Sequence, residues 1–473
     1  MPPLVFLDAT QVLDLVARGE CAAVDLIRAH LDHIGAVNPR LNAFVDLRAE
    51  GALADARAQD EAAARGVPRG PLGGLPVTIK SAIEVAGLRC ETGSPARAGI
   101  VSERDAVVVA RLRAAGAIVL GTTNVAEMLM AYETDNPLHG RTANPWADDR
   151  TPGGSSGGEA AAIAAGCSAG GIGSDGGGSV RVPAHFSGIC ALKPTPGRIP
   201  STGHQPPCLG PFALIGVVGP MARTVGDLTA MFRVIAGDDG VDPTGAPVPI
   251  GSIESLSLDG LRIGFFESDD RAPVTAETRS AVRAAAAAAA AAGCRVEPIA
   301  VAGLDRAHEL WGVFFADMGR LLLSETLQGA EAELPILKEY ARAHPVAPPT
   351  IADFIHAWLD RDVLRADVLH QMETHRVLIC PVASVPAFRH GEREWTIDGR
   401  TVRYLDAMSY TQWFNILGNP AAVVPAGRSP EGLPIGVQIV GRPYEEELVL
   451  AVAAAVERGC TERTARIALP LPR

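Results

Sequence analysis

Two serines stand in glycine-rich surroundings where a nucleophile could work. The run Gly153-Gly154-Ser155-Ser156-Gly157-Gly158 is followed, 24 residues after Ser155, by Gly176-Gly177-Gly178-Ser179. Glycine allows backbone paths closed to other residues and lets a substrate approach the main chain. Consecutive N–H groups in such a loop, leading into a helix N-terminus, form an anion nest. A serine closing the nest could attack a carbonyl carbon while the nest holds the oxyanion, and one preorganised donor of that kind removes about 3 kcal/mol of barrier. Such a serine needs a base. No GxSxG is followed by an Asp and His pair of the lipase kind. The alternative is a lysine made neutral by burial, because desolvation disfavours the ammonium. Lys80 suits that role: it ends the apolar run Val77-Thr78-Ile79 and precedes the apolar-rich SAIEVAG. Ser155 could then carry a proton between Ser179 and Lys80 and return it to a leaving amine. Taken singly, a lysine after a strand is a solvated end, and Ser156, Ser168 and Ser174 read as structural.

The elements that must hold these residues can be read around them. Residues 1–65 read as helical, with Asp8 or Thr10 as the first cap, and as either a small N-terminal layer or a homodimer surface. GLPVTIK is a strand ending at Lys80. Asp105 is expected to cap the helix AVVVARLRAAG, and AIVL follows as a strand that Gly121 ends. Residues 136–200 are dominated by loops, within which Glu159 to Ala165 is a helix, GGIGS a thin buried strand and SVRVPAHFSG a helix start. TVGDLTAMFRVIAG is a helix capped by Thr224 or Asp227. LRIGFFES, CRVEPIAV, RVLICPVA, AAVVPAG and LPIGVQIVG are strands, and EEELVLAVAAAVE is the closing helix. Residues 304–375 read as an almost wholly helical insertion. Its Trp311, Phe314 and Phe315 have helical spacing, which makes them core, with the acyl pocket as the other reading. The alternation predicts one α/β domain, a mixed central sheet covered on both faces by helices, with residues 66–200 as its catalytic part.

Composition narrows the function. Apolar residues make up 47% and charged residues 20%, so a large core is expected. The net charge is −12 with no lysine–arginine cluster, which argues against a nucleic-acid partner. The 8 cysteines include no CxxC and the 11 histidines no HExxH, so no metal and no cofactor are called for. No basic leader precedes an apolar segment, and no window reaches the roughly 18 apolar residues of a membrane span. A cytoplasmic protein is therefore expected. GGSSGG lacks the GxxxxGK[ST] of a phosphate loop. Asp175 and Arg181 read as an ion pair fixing the loop, Lys193 as structural and Cys190 as core.

The stretch GGSSGGEAAAIAAGCSAGGIGSDGGGSVRVPAHFSGICALKPTPGR resembles the signature of the amidase signature family. The resemblance runs from about residue 8 to about residue 460. It includes GLPVTIKSAIEVAG, GTTNVAEM, NPLHGRTANPW, GNPAAVVPAG and LPIGVQIVGRPYEEELVL. It implies a Ser–cisSer–Lys triad of Ser179, Ser155 and Lys80, with Ser155 on a cis peptide bond. It also implies an oxyanion hole from the N–H groups of Gly176, Gly177, Gly178 and Ser179, and no cofactor. Three positions depart from the family pattern: Ser81 stands where aspartate is usual, Thr122 where lysine is usual and Ser187 where cysteine is usual. The implied activity is hydrolysis of a linear amide, or a related ester or hydrazide, through an acyl-serine, with a small-molecule amide as the partner. The other class is the glutamine-hydrolysing subunit of a tRNA-dependent amidotransferase. DGGGS in place of its DTGGS, and HQPPCLGPFALIGVVGPMART in place of its usual segment, argue against that class.

Overall fold

A computed structural model describes residues 3–319, 321 and 350–460 of this chain. Helix α1 (Ala9–Ala17) starts at Asp8, whose carboxylate accepts from the Gln11 N–H while the Gln11 side chain caps back, a complete capping box. Helices α2 (Ala23–Leu41) and α3 (Ala49–Ala64) follow, but the first 65 residues are not all helical. Asn42 takes a left-handed conformation that stops α2, and Phe44–Leu47 then forms strand β1. The helical reading missed β1 because four residues carry too little periodicity to stand out between two long helices.

Strand β2 (Pro76–Lys80) ends at Lys80 as predicted. Helix α4 (Val107–Ala114) has Ala106 at its cap position with no side-chain cap, so Asp105 does not cap it. The Asp105 carboxylate instead accepts from the Ala86 N–H and pairs with Arg113. Strand β3 (Ile118–Thr123) runs on past Gly121, which sits opposite Leu47 of β1 and Thr78 of β2. Helix α5 (Gly157–Ala164), strand β4 (Gly170–Asp175) and helix α6 (Arg181–Ser187) fill the glycine-rich region.

Strands β5 (Cys190–Lys193) and β6 (Val217–Ala222) follow, both in stretches that read as loop. Gly219 and Pro220 hide β6 from a propensity reading, yet it pairs with β4 along all six residues. Helix α7 (Val225–Ile235) is capped by Thr224, not Asp227. Next come β7 (Arg262–Phe265), α8 (Ala276–Ala291), β8 (Arg295–Pro298) and α9 (Leu304–Trp311), which continues as a π-helix over Gly312–Asp317. The expectation of helix over 304–375 is met in α9, the π-helix and α10 (Ile351–Gln371), while residues 320 and 322–349 lie outside the described residues.

The remainder comprises β9 (Val377–Pro381), a separate hairpin of β10 (Glu394–Ile397) and β11 (Arg400–Arg403), α11 (Tyr404–Ala407), α12 (Ser409–Ile416), β12 (Ala421–Arg428), β13 (Pro434–Val440) and α13 (Glu446–Cys460). The hairpin was not anticipated, although its Asp398-Gly399 turn, with positive φ at both residues, is a readable signal.

Among the described residues, eleven strands form one mixed sheet in the order β1-β3-β2-β4-β6-β5-β12-β13-β9-β7-β8. The parallel pairs are β2 with β3 and β4, and β7 with β8 and β9; the other six pairs are antiparallel. Strand alternation decides what faces the site. Val77 and Ile79 pack into the core shared with α1, α4, α7, α8 and α13. Thr78 and Lys80 point to the other face, where α5, α6, α9 and α12 lie. The expected architecture holds: one α/β domain with helices on both faces. No helix among the described residues is long and apolar enough to cross a membrane.

Candidate active site

Lys80 ends β2 with its side chain fully buried, and three oxygens surround its nitrogen. Nζ lies 2.7 Å from Ser155 Oγ, 3.0 Å from Ser174 Oγ and 3.4 Å from the Ser174 carbonyl. Burial pushes the Lys80 pKa down to about 7, against the opposing pull of Asp175, Cys208 and Glu159. Near that pH a large fraction of Lys80 is the neutral amine. The amine has two N–H bonds and one lone pair. The Ser174 carbonyl can only accept, so the N–H bonds suit Ser174 and the lone pair is left for the Ser155 hydroxyl. This arrangement can take a proton from Ser155 and give it back. Ser174, which read as structural, therefore contacts the base directly. The pairing of Ile79 with Ile172 across β2 and β4 puts it there, a register a single sequence does not show.

Ser155 precedes α5, and the Gly154–Ser155 peptide is cis, as the resemblance implied. The Ser156 N–H ties its loop to the second serine loop by donating to the Ser179 carbonyl at 3.2 Å, and the Ala126 N–H, from the segment after β3, donates to the Ser155 carbonyl at 3.3 Å. The Ser156 hydroxyl donates to the Ser174 carbonyl at 3.3 Å and so sutures the loop to β4.

Ser179 lies between β4 and α6 with 8% of its surface open, whereas Ser155 and Lys80 have none. Its loop is wound around Asp175. Asp175 Oδ1 accepts from the Gly178 N–H at 2.7 Å, and Oδ2 from the Val180 N–H at 3.2 Å. Arg181 grips the same carboxylate through Nε and Nη2, both at 3.0 Å. Burial alone would raise the Asp175 pKa, but Arg181, Lys193 and a hydrogen bond from Asn415 overcome it and hold the carboxyl well below the usual range. The expected loop-fixing pair is thus present and wholly buried. One member of the expected oxyanion set is committed elsewhere: the Gly178 N–H serves Asp175. Among the described residues nothing accepts from the N–H groups of Gly176, Gly177 or Ser179.

Glu159, on the first turn of α5, is fully buried on the Lys80 face of the sheet. It accepts from Thr123 Oγ1 at 2.7 Å and from Thr78 Oγ1, and burial pushes its pKa up to about 7. The residues that depart from the family pattern stay off this contact set. Ser81 is buried with its N–H on the Thr123 carbonyl, and the Ser187 hydroxyl donates to the Pro152 carbonyl. The buried Thr122 hydroxyl has no partner among the described residues.

Ser155, Ser174, Gly176 and Ser179 line one cavity of about 210 Å³. Its other walls are mainly apolar: Met128, Leu129 and Met130 on one side, Pro206, Leu209 and Phe212 on another, and Phe315 beside them. Phe315 thus lines the pocket, Trp311 lines a smaller cavity beside Gly177 and Ser179, and Phe314 is fully buried in the core. Among the described residues no group of three His, Cys, Asp or Glu side chains could hold a metal ion.

The Amidase family matches residues 25–450. The chain is 35% identical over 454 residues to an indoleacetamide hydrolase of Bradyrhizobium diazoefficiens, covering 93% of this chain and 84% of that protein. It is 36% identical over 487 residues to a glutamyl-tRNA(Gln) amidotransferase subunit of Roseiflexus castenholzii, covering 97% and 96%. A bacterial aryl acylamidase of the amidase signature family superposes with a TM-score of 0.88 at 26% identity, covering 100% of this chain and 99% of the other. With its sequence match spanning most of the chain, this protein belongs to the amidase signature family of carbon–nitrogen hydrolases, which act on amides.

Proposed function

We propose that the chain works alone, hydrolysing a carboxamide with an apolar, aromatic-sized acyl group to the acid and ammonia through an acyl-Ser179 intermediate. Ser179 Oγ attacks the carbonyl carbon as its proton passes to Ser155 Oγ and the Ser155 proton passes to the Lys80 lone pair. The carbonyl oxygen takes up the negative charge facing the N–H groups of Gly176, Gly177 and Ser179. On collapse the C–N bond breaks, and the Lys80 proton returns through Ser155 to the departing nitrogen. Water then adds to the acyl carbon and loses its proton along the same relay. The bond to Ser179 Oγ breaks, the serine regains its proton and the acid leaves. The observation that carries this reading is the 2.7 Å contact from buried Lys80 Nζ to the Oγ of Ser155, which together with Ser179 lines the cavity.

The acyl preference rests on the cavity wall, where apolar groups dominate. The indoleacetamide hydrolase and aryl acylamidase similarities point the same way. The similarity to the amidotransferase protein favours glutamine as the substrate within a larger assembly. Glutamine brings a carboxylate, and among the described lining residues no arginine or exposed lysine is available to pair with it. The two readings separate in one assay: the purified chain, without partner chains, is offered phenylacetamide, indole-3-acetamide and glutamine. Ammonia release from the first two, absent in Ser179→Ala, is expected. Release from glutamine alone, or only after partner chains are added, would overturn the proposal.

A further inference from the structure

We propose that Trp311 is a positioning residue of the oxyanion hole, aiming the Gly177 N–H through its hold on the Gly176 carbonyl. The inference rests on the acyl-Ser179 reading. In a trans peptide the carbonyl and the following N–H point to opposite edges of one plane. Whatever holds a carbonyl in this loop therefore aims the next N–H, and each carbonyl from Asp175 to Gly178 is held. Asn415 Nδ2 donates to the Asp175 carbonyl at 3.2 Å, fixing the plane that carries the Gly176 N–H. Thr411 Oγ1 and Tyr132 Oη donate to the Gly177 carbonyl at 2.7 and 2.9 Å, fixing the plane that carries the Gly178 N–H. The Val182 N–H donates to the Gly178 carbonyl at 2.7 Å, fixing the plane that carries the Ser179 N–H. The plane between Gly176 and Gly177 depends on Trp311, whose indole Nε1–H donates to the Gly176 carbonyl at 2.9 Å.

The sequence is built for this approach. A Cβ on Gly177 would lie 2.6 Å from the Trp311 ring, so only glycine admits the indole there. The indole is itself held, stacked on Phe315 with ring centroids 4.7 Å apart and an interplanar angle of 15°. Phe315 lines the substrate cavity. One pair of stacked rings thus joins the acyl pocket wall to the loop that would carry the oxyanion donors. Helix α9 and the π-helix after it supply both rings, so the helical insertion contributes geometry to the reacting centre as well as shape to the pocket.

The test separates positioning from packing. Trp311→Phe keeps a ring against Phe315 and removes the indole N–H. Wild type, W311F and S179A are compared on phenylacetamide for kcat and KM, on phenylacetaldehyde as a tetrahedral-adduct inhibitor, and on phenylacetate as a ground-state ligand. A misaimed donor weakens only what carries the oxyanion, so kcat is expected to fall about tenfold and the aldehyde inhibition constant to rise about tenfold. KM and phenylacetate binding should stay within about twofold, because neither carries the tetrahedral oxyanion. If W311F does not fold, the same readings are taken with benzothienylalanine at position 311, which keeps the shape and loses the donor. Wild-type kcat and aldehyde affinity in the folded variant, with S179A inactive, would overturn the Trp311 proposal alone. Undiminished turnover by S179A would remove the serine reading beneath it.

Discussion

Lys80 can act as a base only after losing a proton, and the structure makes that loss easy near neutrality. Its nitrogen is surrounded by neutral oxygens, and burial lowers its pKa to about 7. The charged and titratable groups that face it are Asp175, Glu159, Cys208 and His204. Asp175 stays ionised well below neutrality, and burial pushes the Cys208 thiol up to about 12 and His204 down to about 4. Glu159, pushed up to about 7 by burial, titrates in the same range, so the acid limb belongs to the Lys80–Glu159 pair, in which Lys80 is the base that faces Ser155. With phenylacetamide, kcat/KM should fall as pH drops through about 7, because protonated Lys80 cannot accept from Ser155. An acid limb near pH 4 would contradict this. Glu159 adds a second check. Its carboxylate raises the Lys80 pKa, so Glu159→Gln should move the acid limb to lower pH; a limb that stays in place, or moves up, would show that Glu159 does not act on Lys80. At this scale the two serines and the lysine were legible, the serines from their glycine setting and the lysine only through the family resemblance. Ser174 and Glu159 were not, because their contacts with Lys80 and Thr78 span 94 and 81 residues of chain.

The loop from Asp175 to Arg181 is held by charge more than by secondary structure. Asp175 and Arg181 are both fully buried, and one carboxylate collects the N–H groups of Gly178, Val180 and Arg181. Removing one partner leaves a buried charge uncompensated, so Asp175→Asn should cost about 3–5 kcal/mol, read from denaturant unfolding. The Asp175 pKa is depressed on folding, so its stabilisation is complete above the ordinary carboxylate range and is lost as pH falls below it. A variant as stable as wild type at pH 7 would show that the loop does not depend on this pair. Sequence patterns revealed the elements whose local signal agrees with their place, such as β2 and β4. They missed β6, where Gly219 and Pro220 disguise a strand that its neighbours specify, and β1, which is too short to be read alone. The expected cap at Asp105 failed for a related reason, since its carboxylate had a better acceptor role at Ala86 N–H.

Seen as a whole, the molecule places a nearly apolar chamber over a strand end, with a relay beneath it. Burying a phenyl ring is worth about 2–3 kcal/mol, so phenylacetamide should exceed acetamide in kcat/KM by roughly thirtyfold or more. Equal values would mean that the acyl group does not enter the cavity beside Phe212 and Phe315. The mixed sheet with helices on both faces was readable from the alternation of patterns. The shape of the chamber was not, because its walls come from segments far apart in the chain: 128–130, 204–212 and 315. The claim on which all else depends is that Ser179 carries the acyl group. Treating the whole protein with a fluorophosphonate and locating the adduct by peptide mass spectrometry tests it directly. The adduct is expected on the peptide containing Ser179, absent in Ser179→Ala and formed far more slowly in Lys80→Ala. Labelling of Ser179→Ala at the wild-type rate would contradict it.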